Sequence, residues 1–413
     1  MNALGEKIKD LREARGWLQK ELAEKAEVSP ATISGVENGR FAPSPEILFR
    51  LSKTLDAEFI ELVEMIPDLT VAAWLEVIML VNLERKFAKA LELVYRVREN
   101  FPSMQDYQRD QLTYAEAALM TVEDHTRIQA LQVLYSMAEK WEDKVNANPL
   151  FVMQLHYTLG GAWHRRMEFV MALHHYKRSA DIIHQHPELQ NYRTVPTLLY
   201  AIGDSLRFLG RFQEAISYLQ RALPKLIDQT PETNYAVGGC YFALGNTYKN
   251  LGDHSKAADM FFEAIPWFQK SDMYWFVVRA KSYAYILKPG LRKFALDVLK
   301  EELHKLKDLM KPSDVAMTKS RMAKLHLDRN EFPEALVLLQ EAETLLADSL
   351  PCEQRAYFLL TSSYCQFALG DYDAASTYAF EAVDVYSSLR NFQTELKEAL
   401  QIGKEAVLKL RPL

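Results

Sequence analysis

The chain is poor in cysteine: its 413 residues hold three, Cys240, Cys352 and Cys365. Three unclustered thiols give neither a disulfide framework nor the paired spacing of a cysteine zinc site, and they suit a reducing, cytoplasmic setting. No glycine-rich phosphate loop, HExxH or GxSxG occurs, so no enzyme is expected. His174-His175 and the nearby His184 and His186 have no cysteine or carboxylate at ligand spacing, and neither a metal nor another cofactor is expected. Long apolar runs are missing too. A run such as Val77 to Val81 falls far short of the ~20 residues that cross a bilayer. Acidic Glu6 and Asp10 near the start are unlike a signal peptide. Positive charge is in deficit, 49 Lys and Arg against 55 Asp and Glu, net −6, which argues against a chain that coats nucleic acid or lies on a membrane. Apolar residues are plentiful, 49% of the total, enough for a full core in two or three domains.

That apolar content is periodic. In Gly203/Ala215/Ala222, Gly245/Ala257/Ala264, Ala323/Ala335/Ala342 and Ser363/Ala375/Ala382, small residues recur at intervals of twelve and seven. Weaker copies are Ile78/Ala90/Val97, Ala118/Ala130/Met137, Gly160/Ala172/Ser179 and Tyr283/Ala295/Glu302. The middle alanines lie 40, 42, 43, 42, 38, 40 and 40 residues apart. Two antiparallel helices approach closely only where side chains are small, so the spacing predicts one helical hairpin per interval. Leu209-Gly210-Arg211, Leu251-Gly252-Asp253 and Leu369-Gly370-Asp371 supply glycines that can end a helix left-handed. The pattern resembles the tetratricopeptide repeat, stretched beyond its usual ~34 residues.

The first 66 residues read differently. Leu4, Ile8 and Leu11 sit at helical spacing, Gly16 breaks that helix, and Leu18 to Ala26 forms a second. Ser29-Pro30 and Ser44-Pro45 each open a further helix, with serine as cap and proline at the first helical position. The run from Gln19 to Arg40 closely resembles the helix-turn-helix of XRE-type, phage-repressor-like proteins. That resemblance places Pro30, Ala31, Thr32, Ser34 and Gly35 against base edges, and Gln19, Asn38 and Arg40 on phosphates. It makes Ala23, Val28, Ile33 and Val36 a small core. Glu27 stands where such folds favour glycine. Residues 1–55 carry nine Lys or Arg (7, 9, 12, 15, 20, 25, 40, 50, 53) and eight Asp or Glu (6, 10, 13, 21, 24, 27, 37, 46). A head so nearly neutral has little attraction for phosphates, and a homodimer on a palindromic operator is expected.

The expected fold is therefore all-α, a five-helix-type helix-turn-helix head and then a right-handed α-solenoid of about eight tetratricopeptide-like hairpins. The expected domains are 1–66, 71–390 and a capping helix at 391–413, with Pro67-Asp68-Leu69-Thr70 as the first boundary. Leu396, Leu400, Val407 and Leu410 give the last helix an apolar stripe for capping or for a dimer contact.

If the first helix of each hairpin lines the binding face of the array, fixed offsets before the middle alanines select the side chains that point into it. They give Gln154, Tyr157, Thr158, His164 and Arg165, then Thr197, Tyr200, Asp204, Arg207 and Phe208. Phe242, Asn246, Lys249 and Asn250 follow, then Lys281, Lys288, Ser320, Arg321, Lys324, Tyr357, Thr361 and Tyr364. Amide, aromatic and cationic groups in alternation suit an extended peptide, with Asn246 on its main chain.

An XRE-type head joined to such an array resembles the RRNPP family of cytoplasmic peptide receptors, and the length looks more like its NprR-type members than its shorter ones. The resemblance implies a quorum-sensing transcription regulator whose ligand is a short linear signalling peptide and whose solenoid curvature or oligomeric state changes on binding. Two alternatives remain open at this point. One is an interaction scaffold that sequesters a response regulator, and the other a phage receptor of the arbitrium kind.

Overall fold

The computed structural model describes residues 3–66, 69–83, 86–229, 233–347, 349, 351–389 and 392–410. Among them every regular element is helical. The chain divides into two compact units, Met1–Ala162 and Trp163–Leu413.

The first unit opens with α1 (Ala3–Glu13), α2 (Gln19–Lys25), α3 (Pro30–Glu37), α4 (Pro45–Thr54) and α5 (Phe59–Glu64). Both serine caps form: Ser29 Oγ accepts from the Thr32 amide at 3.0 Å and Ser44 Oγ from that of Ile47 at 3.3 Å. Glu27 joins α2 to α3 at φ +54°, the left-handed conformation that glycine adopts without strain. Leu4, Ile8, Leu22, Ile33, Leu48 and Leu51 are wholly buried, with Ala23 and Val36 nearly so; Val28 is half-buried. An ion pair joins this core. The Arg12 guanidinium donates to both carboxylate oxygens of Glu37, at 2.6 and 3.0 Å, and both residues are buried.

Beyond the head lie α6 (Val71–Leu83), α7 (Phe87–Asn100), α8 (Asp106–Met120), α9 (Arg127–Glu142) and α10 (Pro149–Arg165), the last running across the division between units. Pro67 and Asp68, half of the expected boundary, lie outside the described residues.

The second unit continues with α11 (Phe169–Gln185), α12 (Val195–Phe208), α13 (Phe212–Ile227), α14 (Asn234–Asn250), α15 (His254–Lys270) and α16 (Tyr274–Leu287). It ends with α17 (Ala295–Leu306), α18 (Pro312–Leu327), α19 (Phe332–Leu346), α20 (Glu353–Leu369), α21 (Tyr372–Ser388) and α22 (Gln393–Leu410). From α12 on, each helix packs on the next, and first helices also meet one another, α12 with α14, α16 with α18 and α18 with α20.

All eight middle alanines, at 90, 130, 172, 215, 257, 295, 335 and 375, are wholly buried. Their partners show why small residues recur. A β-carbon on Gly245 would sit 2.8 Å from the Phe261 ring, closer than packed atoms approach. Gly210, Gly252 and Gly370 hold the predicted left-handed turns at φ +74°, +82° and +87°; Met167 and Asn330 take the same region without being glycine.

One hairpin departs from the common register. Tyr283 does not mark the crossing of α16 with α17: its ring stacks on Phe261 of α15 at 4.9 Å, and it is buried Val278 that shares a core with Ala295, Leu296, Leu299 and Leu303 of α17. Glu302, the matching residue of α17, is buried and bonded to Lys281 at 2.7 Å.

The final helix α22 packs on α21 and α20. It buries Ala399, Ile402 and Ala406, not the larger stripe expected for it. Leu396, Leu400 and Val407 are half-buried and Leu410 is exposed. The close approach favours small side chains: Gly403 lies where a β-carbon would be 3.2 Å from that of Ala379. Asn391 and residues 411–413 lie outside the described residues.

Candidate functional site

The helix α3, expected to be the recognition helix, begins with exposed Pro30 and Ala31 and half-buried Thr32 and Ser34. Thr32 Oγ1 lies 2.8 Å from Ser29 Oγ, and the Asn38 amide donates to the Ser34 carbonyl at 2.7 Å. These polar groups satisfy one another locally, yet they stay on an accessible turn. Arg40 is exposed just beyond the helix. Two residues depart from the expected arrangement. Gly35 is buried beneath Phe41, whose ring would come 2.2 Å from a β-carbon at position 35, so it offers no edge to a base. Gln19 does not reach outward to a phosphate; its Nε2 donates to Glu37 at 2.7 Å, adding to the bonds that the buried carboxylate takes from Arg12.

In the repeats, the offset rule brings two groups of side chains together on the first helices of the second unit. The first centres on Asp204 of α12. Its carboxylate is buried, accepts twice from Arg207 at 2.8 and 2.6 Å, and lies 3.1 Å from His164 Nε2. The Arg207 guanidinium stacks 3.8 Å from the Phe208 ring, which itself stacks 4.0 Å from Phe169. Burial pushes the Asp204 carboxyl up, but Arg207 and His164 outweigh it and hold the group well below the usual carboxylate range. Half-buried Tyr200 lies beside Gly239, where a β-carbon would be 2.6 Å from its hydroxyl. Arg165 is exposed, and Tyr157, half-buried, belongs to the first unit, as does Thr158, which is bonded to Tyr114 at 2.8 Å.

The second group spans α14, α16, α18 and α20. Arg321, only 4% exposed, donates to the Tyr283 hydroxyl at 3.2 Å and lies 4.6 Å over that ring and 5.9 Å from Tyr357. The Lys249 ammonium is 4.8 Å from the same Tyr283 ring, and Lys324 is 4.7 Å from that of Tyr364. Arg279 donates to Glu353 at 2.5 Å and lies 5.7 Å from the Phe242 ring. Burial pushes the Tyr283 phenol up, yet Arg321, Lys249 and Arg279 together bring it down to about 7. Asn246 is buried, with Nδ2 donating to the Phe242 carbonyl of its own helix at 3.0 Å. Asn250, next on that helix, is exposed.

The rule failed at α16. Lys281, expected on this face, is tied to Glu302 of α17, and Lys288 is bonded to Asp259 of α15. Arg279 and Tyr283 take their place. Small residues do recur at Ala280 and Ala284, but they share their core with α14 and α15, so no local signal marks the change.

No three His, Cys, Asp or Glu side chains among the described residues converge to hold a metal ion, and no described helix is long and apolar enough to cross a membrane.

Comparison with known proteins agrees with this architecture. Residues 8–62 match the helix-turn-helix family HTH_3, and residues 194–270 match the tetratricopeptide repeat family TPR_12. No curated protein matches the chain. Among solved structures, apo RapI superposes with TM-score 0.57 at 13% identity, over 82% of this chain and 98% of its own. A Rap protein complexed with Competence and Sporulation Factor gives 0.54 at 14%, over 82% and 99%. The apo quorum sensor NprR from B. thuringiensis gives 0.54 at 14%, over 83% and 99%. At such identities the likeness is one of fold. A helix-turn-helix domain, tetratricopeptide repeats and the all-α fold of the Rap and NprR structures match the head-and-array organisation that the sequence leads one to expect.

Proposed function

We propose that the chain is a transcription regulator that binds DNA through α3 and answers to a short linear peptide held on the first helices of its repeats. One observation carries this reading. A single chain joins a recognition helix with an accessible first turn to a repeat face where four successive first helices bring aromatic, amide and cationic groups together. A face built along several parallel helices is long, and an extended peptide fills it better than a compact metabolite does. The solved structures that share the fold include a quorum sensor and a Rap protein complexed with Competence and Sporulation Factor, which supports the same assignment here. The nearly neutral head supports a homodimer on a palindromic site. The peptide acts by binding one arrangement of the dimer more tightly than another, a coupling of typically ~1–3 kcal/mol.

The test begins with native mass spectrometry of protein purified from its own cells, which should show an oligopeptide released on denaturation. Duplexes selected from a random library then serve as DNA probes. Arg40→Ala should weaken selected and random DNA alike, whereas Thr32→Ala should alter discrimination at one base pair by about 1–3 kcal/mol. Equal effects of both variants on both kinds of DNA would show that α3 does not read bases.

A further inference from the structure

The cations on the first-helix face of the second unit are not treated alike. Arg207 has Asp204, Arg279 has Glu353, and Lys324 has Asp328 at 3.2 Å. Among the described residues, Arg321 and Lys249 have no carboxylate within ion-pair distance. Arg321 is the more deeply buried of the two, yet its one hydrogen bond is to the Tyr283 hydroxyl and not to a carboxylate. A guanidinium has five donors, and a buried charge is normally paired. Both cations also lie against one ring, that of Tyr283, so the corner repels itself as it stands.

We propose that Arg321 and Lys249, with the Tyr283 hydroxyl between them, form a subsite for a carboxylate of the bound peptide. This deepens the peptide reading and rests on it for the ligand, although the anion chemistry follows from the corner alone. The planar fork of Arg321 matches the two oxygens of a carboxylate, and Lys249 adds a point charge from the neighbouring helix α14. The low position of the Tyr283 phenol reports the same positive field. Glu353 is already engaged by Arg279 and Asp328 by Arg292 and Lys324, while Glu398 of α22 attracts Lys249 and Lys324 only from beyond ion-pair distance. The carboxylate belongs either to the C-terminus of the peptide or to an Asp or Glu side chain.

Random-sequence synthetic hexapeptides distinguish these sources. Four pools, with free or amidated C-termini and with or without Asp and Glu, are passed over the immobilised full-length chain and the retained peptides counted by mass spectrometry. The amidated pool without acids should be retained roughly tenfold less than the best carboxylate-bearing pool, as loss of a charge-assisted bond implies. Retention of the free-terminus pool without acids assigns the terminal carboxylate; retention of the amidated acidic pool assigns the side chain. Lys249→Met and Arg321→Gln should each abolish the preference, while Lys270→Met, at an exposed cation over Trp267, should keep it. Thermal unfolding checks that the variants fold, and half-buried Lys249 carries the test if Arg321→Gln does not.

Equal retention of all four pools would overturn the subsite and leave the peptide reading standing. Retention of none would remove the peptide reading instead. Acetate and inorganic phosphate, titrated against tyrosinate absorbance, then decide the corner by itself: binding that Lys249→Met abolishes upholds an anion site, and no binding overturns it.

Discussion

Two charged clusters share the first-helix face of the second unit, and they are built on opposite plans. Around Asp204, one carboxylate takes bonds from Arg207 and lies within reach of His164, and the charges close on themselves. Around Tyr283, Arg321 and Lys249 lie against aromatic faces and a phenol, with no carboxylate among the described residues within ion-pair distance. A closed network holds helices in place and gains nothing from an outside ion. An open one is less stable alone and more stable with an anion. The difference separates the part of the face that is scaffold from the part suited to bind.

The sharpest way to break that contrast is to remove one partner from each cluster. Asp204→Ala leaves Arg207 without its buried counter-charge and should cost about 3 kcal/mol in urea unfolding. Arg321→Met removes an uncompensated charge and keeps the packing, so stability should hold or rise by up to ~2 kcal/mol. If both lose stability equally, Arg321 is a structural cation and the contrast is gone.

A second measurement sharpens the comparison through pH. The Tyr283 phenol sits at about 7 in the folded chain against an ordinary 10.0, so the fold favours the phenolate. The stability this gives is absent below about pH 7, grows from there to about 10, and is fully present above. The groups that set it are Arg321, Lys249 and Arg279, opposed by Glu353. The tyrosinate absorbance that Tyr283→Phe removes should have a midpoint near 7, moving upward when an anion fills the corner. A midpoint at the ordinary value would mean that the corner is already neutral.

The smallest expected effect separates charge from backbone strain. Glu27 has a largely exposed side chain, with Arg50 3.9 Å away, but it is held at φ +54°. Glu27→Gly should stabilise the head by about 1 kcal/mol, seen as a higher unfolding midpoint that is insensitive to salt. A loss of stability would assign the position to the Arg50 contact instead.

Legibility in the sequence followed the range of the interaction. Ser29-Pro30 and Ser44-Pro45 carry their caps within three residues, and the middle alanines repeat a packing constraint eight times, so both could be read directly. The repeat interval also led to Asp204, Arg207, Arg321, Lys249 and Tyr364. It could not foresee Arg12 with Glu37, because an ion pair across 25 positions leaves no local trace. Nor did it foresee the shift at α16, where Lys288-Pro289-Gly290 and a 3-10 turn at Arg292–Phe294 alter the connection to α17. There a fixed offset selected Lys281 in place of Arg279.

The ring of Phe41 over Gly35 has a consequence for how such a head changes with descent. Position 35 cannot lengthen without displacing that ring, and Phe41 is exposed enough to turn outward. A side chain able to read one more base is therefore one substitution away, at the loss of the cover the ring gives to bare backbone. Lineages that keep both the glycine and the aromatic over it would keep their reading short.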